Sequence, residues 1–137
     1  IFGKKDYQQL HIIRRMVQQL NLPVEILDEE IIRAPDGLAL SSRNRYLDDN
    51  QRIEANHLYQ TLNTVKTAIQ TGQSNFPLLE RNALSKLETR GWSVDYIAVL
   101  NQDTLQPAHS EDKALVVAAA ARIGQTRLID NIELRKN

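Results

Sequence analysis

The feature of this sequence that most constrains its fold is a pair of amphipathic stretches near its middle. Apolar residues recur at every third or fourth position over residues 48–71 and again over 76–91. This spacing predicts two helices, which end at Gly72 and Gly91. Neither helix can bury its apolar face alone, so a sheet must pack against both. The predicted inward residues are Ala55, Leu58 or Tyr59, Leu62, Val65, Ile69, Phe76, Leu79, Ala83, Leu84 and Leu87.

Three stretches after Gly91 can supply that sheet. Trp92–Val99 has strand composition, and Leu115–Ala121 is a continuous apolar run, typical of a strand buried on both faces or of a closely packed helix. We interpret the second stretch as a strand because it is short. Together with Arg127–Asn131, which follows a glycine turn, these stretches predict a three-stranded antiparallel sheet. Residues 36–137 would then form a small α+β domain with helices packed on this sheet.

The first 35 residues have a different pattern. Ile1-Phe2 resembles the end of a strand, and a loop beginning at Gly3 leads into a helix that Asp6 would cap and that would run to about Leu20. A proline ends this helix, and Val24–Leu27 has the composition of the next strand. The order predicts the last βα portion of a parallel α/β domain. The buried stripe of the helix is predicted to be Leu10, Ile13, Met16 or Val17, and Leu20.

The boundary between the two parts is predicted near Pro35. A short extended piece, Ile31–Arg33, leads into a turn, because the proline biases Ala34 away from helical geometry. The chain begins with an apolar pair and no methionine, so we expect residues 1–35 to be the remaining part of a larger domain and the chain to be a fragment. In isolation these residues would expose apolar surface, and we expect association in solution or disorder near the N-terminus.

Composition narrows the range of partners. The 17 basic and 17 acidic residues balance, which argues against nucleic acid or an anionic membrane as the main partner. Cysteine is absent, and the three histidines have no metal-binding spacing, so we predict no metal site held by side chains. No apolar run approaches roughly eighteen residues, and no signal peptide is recognisable. We expect a soluble, cytoplasmic protein.

The stretch Asp36–Asn44 carries the chemistry of an anion site. Gly37 permits a turn, and Ser41 and Ser42 offer hydroxyl donors. Arg43 adds a planar, permanently charged fork that matches two phosphate oxygens. The alternative, equally open at this point, is that the serines cap a helical turn and the arginine is a solvated surface charge.

The loop after Ile1-Phe2 is a second candidate. In βα units a ligand usually lies at this turn, beside the positive end of the helix. Lys5 and Asp6 would lie at the ligand edge, and Gln9 would lie one turn into the helix on the same side. The alternative is an ordinary connection with solvated charges, and this loop alone does not exclude it.

Taken together, the two motifs resemble the pantothenate synthetase (pantoate–β-alanine ligase) family. The matching stretches are Phe2–Leu10 and Asp36–Leu47, in the family's order and at its spacing, and Arg127–Asn131 is similar to the family's closing strand. The resemblance covers the whole chain but only about the second half of the family protein. It implies the last βα portion of a Rossmann-like nucleotidyltransferase domain, residues 1–35, and a C-terminal lid domain, residues 36–137.

The resemblance also implies a reaction. In this family ATP activates pantoate to pantoyl adenylate with release of pyrophosphate, and the β-alanine amine then displaces AMP to give pantothenate. ATP would be bound with Mg²⁺ held mainly by its phosphates, and the full-length protein would be a homodimer. The implied ATP-binding residues are Gly3, Lys4, Lys5, Asp6, Ile32, Leu40, Ser41, Ser42 and Arg43, of which Lys5, Ser41, Ser42 and Arg43 are the catalytic ones, and Gln9 would hold pantoate.

Two other interpretations of the function stay open. The family's histidine-containing phosphate motif belongs to its first half and has no counterpart here, so we expect the chain alone to be inactive in the full reaction. A non-catalytic nucleotide-binding or protein-interaction module that retains the fold is the alternative. A relative of the tRNA synthetases is weaker, because the balanced charge provides no RNA-binding stripe.

Overall fold

Two sheets of unequal size organise the part of the chain that the structure describes, residues 1–136 of a computed structural model. A small parallel sheet pairs β1 with β2, and a larger antiparallel sheet has the order β3-β4-β5. The predicted fold class is thus confirmed. The elements are β1 (Phe2–Gly3), α1 (Tyr7–Gln19), β2 (Asp28–Glu29), a 3₁₀ turn (Ser42–Tyr46), α2 (Asp49–Glu54), α3 (His57–Gln70), α4 (Phe76–Thr89), β3 (Ser93–Asn101), β4 (Ala114–Ile123) and β5 (Thr126–Arg135).

The central strand of the larger sheet is β4, as its apolar run predicted. Its residues pair with β3 on one side and with β5 on the other, for example Ala119 with Ile97 and with Asp130. Alternate β4 residues face the helices, and Leu115 and Val117 on that face are fully buried. Val116, which points to the opposite face, is also fully buried. The interpretation of this run as a strand buried on both faces is confirmed.

Helices α3 and α4 cover one face of this sheet and form the main core with it. Asn75 caps α4 by accepting a hydrogen bond from the amide of Leu78 at 3.2 Å. The predicted inward faces are confirmed, with Leu84 and Tyr59 half-buried and the other residues buried. The core members from the helices are Ala55, Leu58, Leu62, Val65, Ile69, Phe76, Leu79, Ala83 and Leu87, and Leu38 and Trp92 extend the core at its edges.

The first of the two predicted helices is broken, and the prediction of one continuous helix is wrong. α2 ends at Glu54 and α3 begins at His57, with a turn between them. In that turn the amide of Leu58 donates to the carbonyl of Ala55 at 3.3 Å, three residues back rather than four. Ala55 is fully buried at the turn. Asn56, a residue of low helix propensity, follows it.

The start of α2 agrees with the prediction that acidic residues begin a helix there. Asp48 Oδ1 accepts a hydrogen bond from the amide of Gln51 at 2.8 Å, and Gln51 Oε1 accepts one from the amide of Asp48 at 3.1 Å. This capping box satisfies two backbone donors that the first helical turn would otherwise leave unpaired.

α1 has the predicted bounds, but its predicted stripe is buried only in part, because Ile13 and Val17 are half-buried. Of its residues, all of which the structure describes, Leu10 alone is buried. Met16 is 45% exposed, and Leu20, at the helix end, is 63% exposed. The two-residue strands β1 and β2 are too small to cover a helix of this length. Asp6 occupies the N-cap position, but its side chain makes no capping hydrogen bond.

The predicted strand at Val24–Leu27 is also wrong. Pairing begins only at its end, where the amide of Phe2 donates to the carbonyl of Leu27 at 2.9 Å, and the strand itself is β2, Asp28–Glu29. Only these residues lie beside β1, which is two residues long. Without a neighbour, an extended segment gains no ladder of hydrogen bonds and is not a strand.

Residues 32–40 form a small hairpin at the predicted domain boundary. Arg33 pairs with Ala39, and the amide of Gly37 donates to the carbonyl of Ala34 at 2.9 Å. Gly37 has a φ of +100°, and a Cβ atom there would lie 2.3 Å from the Tyr59 ring. Glycine is therefore required both by the backbone conformation and by the close ring. The division into residues 1–35 and 36–137 stays a prediction.

No helix within residues 1–136 combines the length and the apolar composition needed to cross a membrane.

Candidate functional site

The two loops singled out by the sequence meet at one cleft. Lys5 Nζ donates a hydrogen bond to the carbonyl of Leu40 at 3.1 Å, joining residues that are 35 positions apart. The cleft beside this contact has a volume of about 410 Å³. It is lined by Lys5, Asp6, Leu40, Ser41, Arg43, Arg127, Leu128 and Ile129. The contact and the lining place the loop after β1 and the Ser-Ser-Arg loop on the same cavity.

The electrostatics of this cleft favour an anion. Burial lowers the pKa of the Lys5 ammonium group below its ordinary value. The carboxylates of Asp130 and Asp6 act in the opposite direction, and the guanidinium groups of Arg33 and Arg43 lower the pKa further. A lysine that is half-buried among other cations gains most from an approaching anion, because the anion stabilises the charged form.

The Ser-Ser-Arg loop fits both interpretations that its sequence left open. Ser41 caps the 3₁₀ turn, since its Oγ accepts a hydrogen bond from the amide of Arg43 at 3.1 Å. The hydroxyl proton of Ser41 is not used in that bond, so the side chain can still donate. Within residues 1–136 the Arg43 guanidinium has no carboxylate partner and reaches only the carbonyl of Arg127, at 3.5 Å. Ser42 is exposed and lies outside the cleft lining.

An ion pair that the sequence analysis missed anchors the hairpin to β5. Arg33 donates to both carboxylate oxygens of Asp130, at 2.7 and 2.8 Å, and to the carbonyl of Gly37 at 3.0 Å. The Arg33 guanidinium also lies 4.0 Å from the centre of the Tyr59 ring. Asp130 is only 4% exposed. A buried carboxylate satisfied in this way fixes the hairpin rigidly to the sheet.

Asn131 anchors the loop that carries Lys5 to β5 in the same way. Its Nδ2 donates to the carbonyl of Lys4 at 2.8 Å and to the carbonyl of Lys5 at 3.2 Å, and the side chain is buried. The neighbouring pair Asp130-Asn131 thus holds both loops of the cleft. A sequence signal existed, because two adjacent polar residues lie between the apolar pair Leu128-Ile129 and Ile132, and buried polar groups are normally hydrogen-bonded.

The other predicted site residues lie at different depths. Asp6 is exposed at the rim of the cleft, and Gln9 lines an adjoining groove of about 510 Å³ against the second face of the larger sheet. Gly3 has no positive φ angle, and an added Cβ would meet no atom of residues 1–136 within 4 Å. Ile32 is 68% exposed, and its carbonyl accepts a hydrogen bond from the amide of Leu40.

The Lys4 side chain does not reach the cleft. Its Nζ pairs with Glu30 and, at 3.3 Å, with Glu133, and the residue lines a different cavity from Ser41 and Arg43. The hydrogen bond to Glu30 is the main cause that raises the pKa of Lys4. The backbone carbonyl of Lys4 is held by Asn131, next to Lys5, which does line the cleft.

Within residues 1–136 no group of three or more histidine, aspartate or glutamate side chains is placed to hold a metal ion. The oxygen ligands that Mg²⁺ prefers include the phosphate oxygens of a nucleotide.

Comparison with known proteins gives a consistent result. Residues 1–133 match the family model described as pantoate-beta-alanine ligase. The chain is 55% identical over 134 residues to the pantothenate synthetases of Nitrosospira multiformis and Nitrosomonas europaea. These matches cover 98% of this chain and 48% of each relative, so the chain spans about half the length of the curated relatives it matches.

Solved structures agree in fold. The pantothenate synthetase of Thermus thermophilus superposes with a TM-score of 0.87 at 37% identity, covering 96% of this chain and 48% of that chain. A pantoate-beta-alanine ligase from Francisella tularensis, in complex with beta-gamma ATP and beta-alanine, superposes with a TM-score of 0.66 at 30% identity, covering 96% of this chain and 41% of that chain. The chain belongs to the pantoate–β-alanine ligase family.

Proposed function

We propose that this chain supplies the second half of an ATP-dependent ligase that joins pantoate to β-alanine. The observation that carries the proposal is the Lys5–Leu40 contact, which brings the two sequence motifs to one cleft. The relative from Francisella tularensis, described in complex with an ATP compound and β-alanine, supports the assignment of ATP and β-alanine as substrates. Pantothenate, AMP and pyrophosphate would be the products.

The reaction under this proposal has two steps. A carboxylate oxygen of pantoate forms a bond to the α-phosphorus of ATP, and the bond from that phosphorus to the bridging oxygen breaks, so the electron pair leaves with pyrophosphate. The amine of β-alanine then forms a bond to the pantoyl carbonyl carbon, loses a proton, and displaces AMP. Neither step requires a nucleophile from the protein. Alignment and charge stabilisation are what the protein can contribute.

The cleft residues suit these two tasks. Lys5 and Arg43 would neutralise charge on the phosphoryl oxygens and on the leaving group, and Ser41 and Ser42 would add hydroxyl donors. Asp6 would accept hydrogen bonds from the ribose hydroxyls, and Gln9 would hold pantoate in the adjoining groove. The nucleotide-contacting set under this proposal is Gly3, Lys4, Lys5, Asp6, Ile32, Leu40, Ser41, Ser42 and Arg43, of which Lys4 and Ile32 would contribute backbone groups.

Several parts of the proposal concern the whole protein rather than this chain. The remaining half would contribute the other phosphate and pantoate contacts, so we expect no complete reaction from the chain alone. Mg²⁺ would arrive with ATP and be held mainly by its phosphates. We also propose that the full-length protein is a cytoplasmic homodimer.

A chimera tests the proposal. The first half of the Nitrosospira multiformis relative is joined to this chain, which is justified by their 55% identity. We expect the chimera to release pyrophosphate when given ATP and pantoate. Lys5→Ala or Arg43→Ala should reduce that release by about a hundredfold or more, because each removes a charged contact to the transition state. Arg81→Ala, an exposed substitution on α4, should leave the rate unchanged.

Circular dichroism establishes that each variant is folded. Near-normal pyrophosphate release by the folded Lys5→Ala and Arg43→Ala variants would overturn the assignment of these residues. A chimera that binds ATP but releases no pyrophosphate would instead favour the non-catalytic nucleotide-binding module.

A further inference from the structure

A second cleft opens next to the one described above. It has a volume of about 670 Å³ and is reached past the 3₁₀ turn and the β4–β5 turn. Its lining is Arg43, Tyr46, Gln51, Arg122, Gln125, Thr126 and Arg127. Arg43 and Arg127 also line the first cleft, so the two cavities are adjacent and share these two side chains. None of the site residues proposed for ATP, apart from Arg43, lies in this second cleft.

The second cleft is strongly cationic in a chain whose total charge is zero. Three guanidinium groups, from Arg43, Arg122 and Arg127, line it. Arg127 Nε pairs with Asp95 at 2.7 Å, which offsets one of the three charges. Arg122, exposed near the end of β4, makes no ion pair or side-chain hydrogen bond with residues 1–136, and Arg43 makes no ion pair with them. Two arginines thus face one cavity without a carboxylate partner.

Neutral donors complete the lining. The side chains of Gln125 and Thr126, which belong to the β4–β5 turn and the first residue of β5, make no hydrogen bonds with residues 1–136. Gln51 lies over this turn, with its Nε2 close to the position that a Cβ atom of Gly124 would occupy. None of the residues lining the cleft is acidic, and the Asp48 carboxylate beside Gln51 already accepts the amide of that residue. The cavity therefore offers an excess of donors to a ligand with several oxygen atoms.

We propose that the second cleft binds inorganic pyrophosphate after it leaves the nucleotide cleft. This inference rests on the proposed function, which makes pyrophosphate a product beside Arg43. The number of unpaired guanidinium donors suits a small polyanion better than a single carboxylate, because each fork can engage two oxygens. Because Arg43 and Arg127 line both clefts, the leaving group would keep the same charge partners as it moves from one to the other. Separation of pyrophosphate from the α-phosphorus would hinder the reverse reaction.

Calorimetric titration of inorganic pyrophosphate into the 137-residue chain tests the site without requiring catalysis. We expect binding, and we expect Arg122→Ala to weaken it by about tenfold, the usual effect of losing a hydrogen bond to a charged group. Gln125→Ala should weaken it less, because its amide is neutral. Arg81→Ala, which removes an exposed arginine from α4, should have no effect. The same titrations on the chimera give the result with the other half present.

Absence of pyrophosphate binding in both proteins would overturn the proposal, and so would equal affinity of the Arg122→Ala and unsubstituted proteins. If inorganic phosphate binds as tightly as pyrophosphate, the cleft is a general anion site and the proposal is also wrong. A chimera that binds pyrophosphate in this Arg122-dependent way but cannot form it would contradict the proposed function and leave the binding site standing. The two failures are therefore distinguishable.

Discussion

Residues 1–35 and residues 36–136 are stabilised in different ways. In the second region α3 alone buries five residues, Leu58, Thr61, Leu62, Val65 and Ile69. In the first region α1 buries only Leu10, among the residues the structure describes, and apolar side chains such as Ile12 and Leu20 are more than half exposed. Burial of apolar surface thus holds the second region together and contributes little to the first.

The first region is attached to the second mainly by polar contacts. These are the Arg33–Asp130 ion pair, the Asn131 bonds to the backbone of Lys4 and Lys5, and a 2.8 Å hydrogen bond from Tyr7 Oη to Glu133. Hydrogen bonds are directional, whereas apolar burial is not. The difference indicates that β5 fixes the orientation of the two loops of the cleft, while the α3–α4 layer supplies the stability.

Truncating an apolar side chain should destabilise the second region far more than the first. Leu62→Ala should lower the free energy of unfolding by about 2–5 kcal/mol, because Leu62 is fully buried and a cavity would remain. Met16→Ala, on the 45% exposed side chain in α1, should change it by about 0.5 kcal/mol or less. Urea denaturation followed by circular dichroism measures both. Equal losses would show that α1 is buried in solution, as it would be if the chain associates.

A smaller effect is expected where the regions are joined. Asn131→Ala removes the donors to the carbonyls of Lys4 and Lys5, and unpaired buried polar groups cost about 1–3 kcal/mol. The loss should appear as faster hydrogen exchange in residues 4–10, with little change in α3. Asn82→Ala, exposed on α4, is the matched control. Faster exchange spread evenly over both regions would contradict the role of Asn131 as a local joint.

The smallest expected effect is a pH-dependent change in stability that comes from one ion pair in the second region. Arg90 donates to both carboxylate oxygens of Glu54 and, with the Trp92 indole, lowers the pKa of that carboxyl. A lowered folded-state pKa means that the unfolded chain binds the proton more readily. The stabilisation is therefore complete above the unfolded value of about 4.3 and is lost as pH falls through the folded value.

Glu54→Gln should accordingly destabilise the protein at pH 7 and have a diminishing effect as the pH falls below about 4.3. Urea midpoints of the two proteins between pH 7 and pH 3 check this. A difference in midpoint that stays constant over this range would exclude an electrostatic origin. The effect should be smaller than that of Asn131→Ala, because the partner Arg90 is exposed.

The helices and strands that were predicted correctly are those whose pattern of apolar residues is contained within one short stretch of sequence. The apolar spacing in α3 and α4 and the short apolar run of β4 depend on neighbours in the sequence, and they identified the helix–sheet layer. The break at Ala55–Asn56 was missed because it depends on where a helix end packs. The stripe of α1 was overestimated, because periodicity shows which face is apolar and not whether another element covers it.

The site residues divide in the same way, into those found from a short motif and those revealed only by a tertiary contact. Lys5 and Arg43 were identified because each lies in a short motif of consecutive residues. The Arg33–Asp130 pair was missed because its partners are 97 positions apart, and only the fold brings them together. Asn131 was part of a recognised motif, but its role as a donor to the Lys5 loop depends on a tertiary contact.

Under the proposed function, the loop at residues 3–6 and the loop at residues 41–44 bind one nucleotide. Hydrogen exchange of the chimera with and without a non-hydrolysable ATP analogue tests it most directly. We expect amides in both loops to become protected together, with α3 unchanged, and Arg43→Ala to reduce the protection in both loops. Protection confined to one loop, or loss in one loop only when Arg43 is replaced, would contradict it.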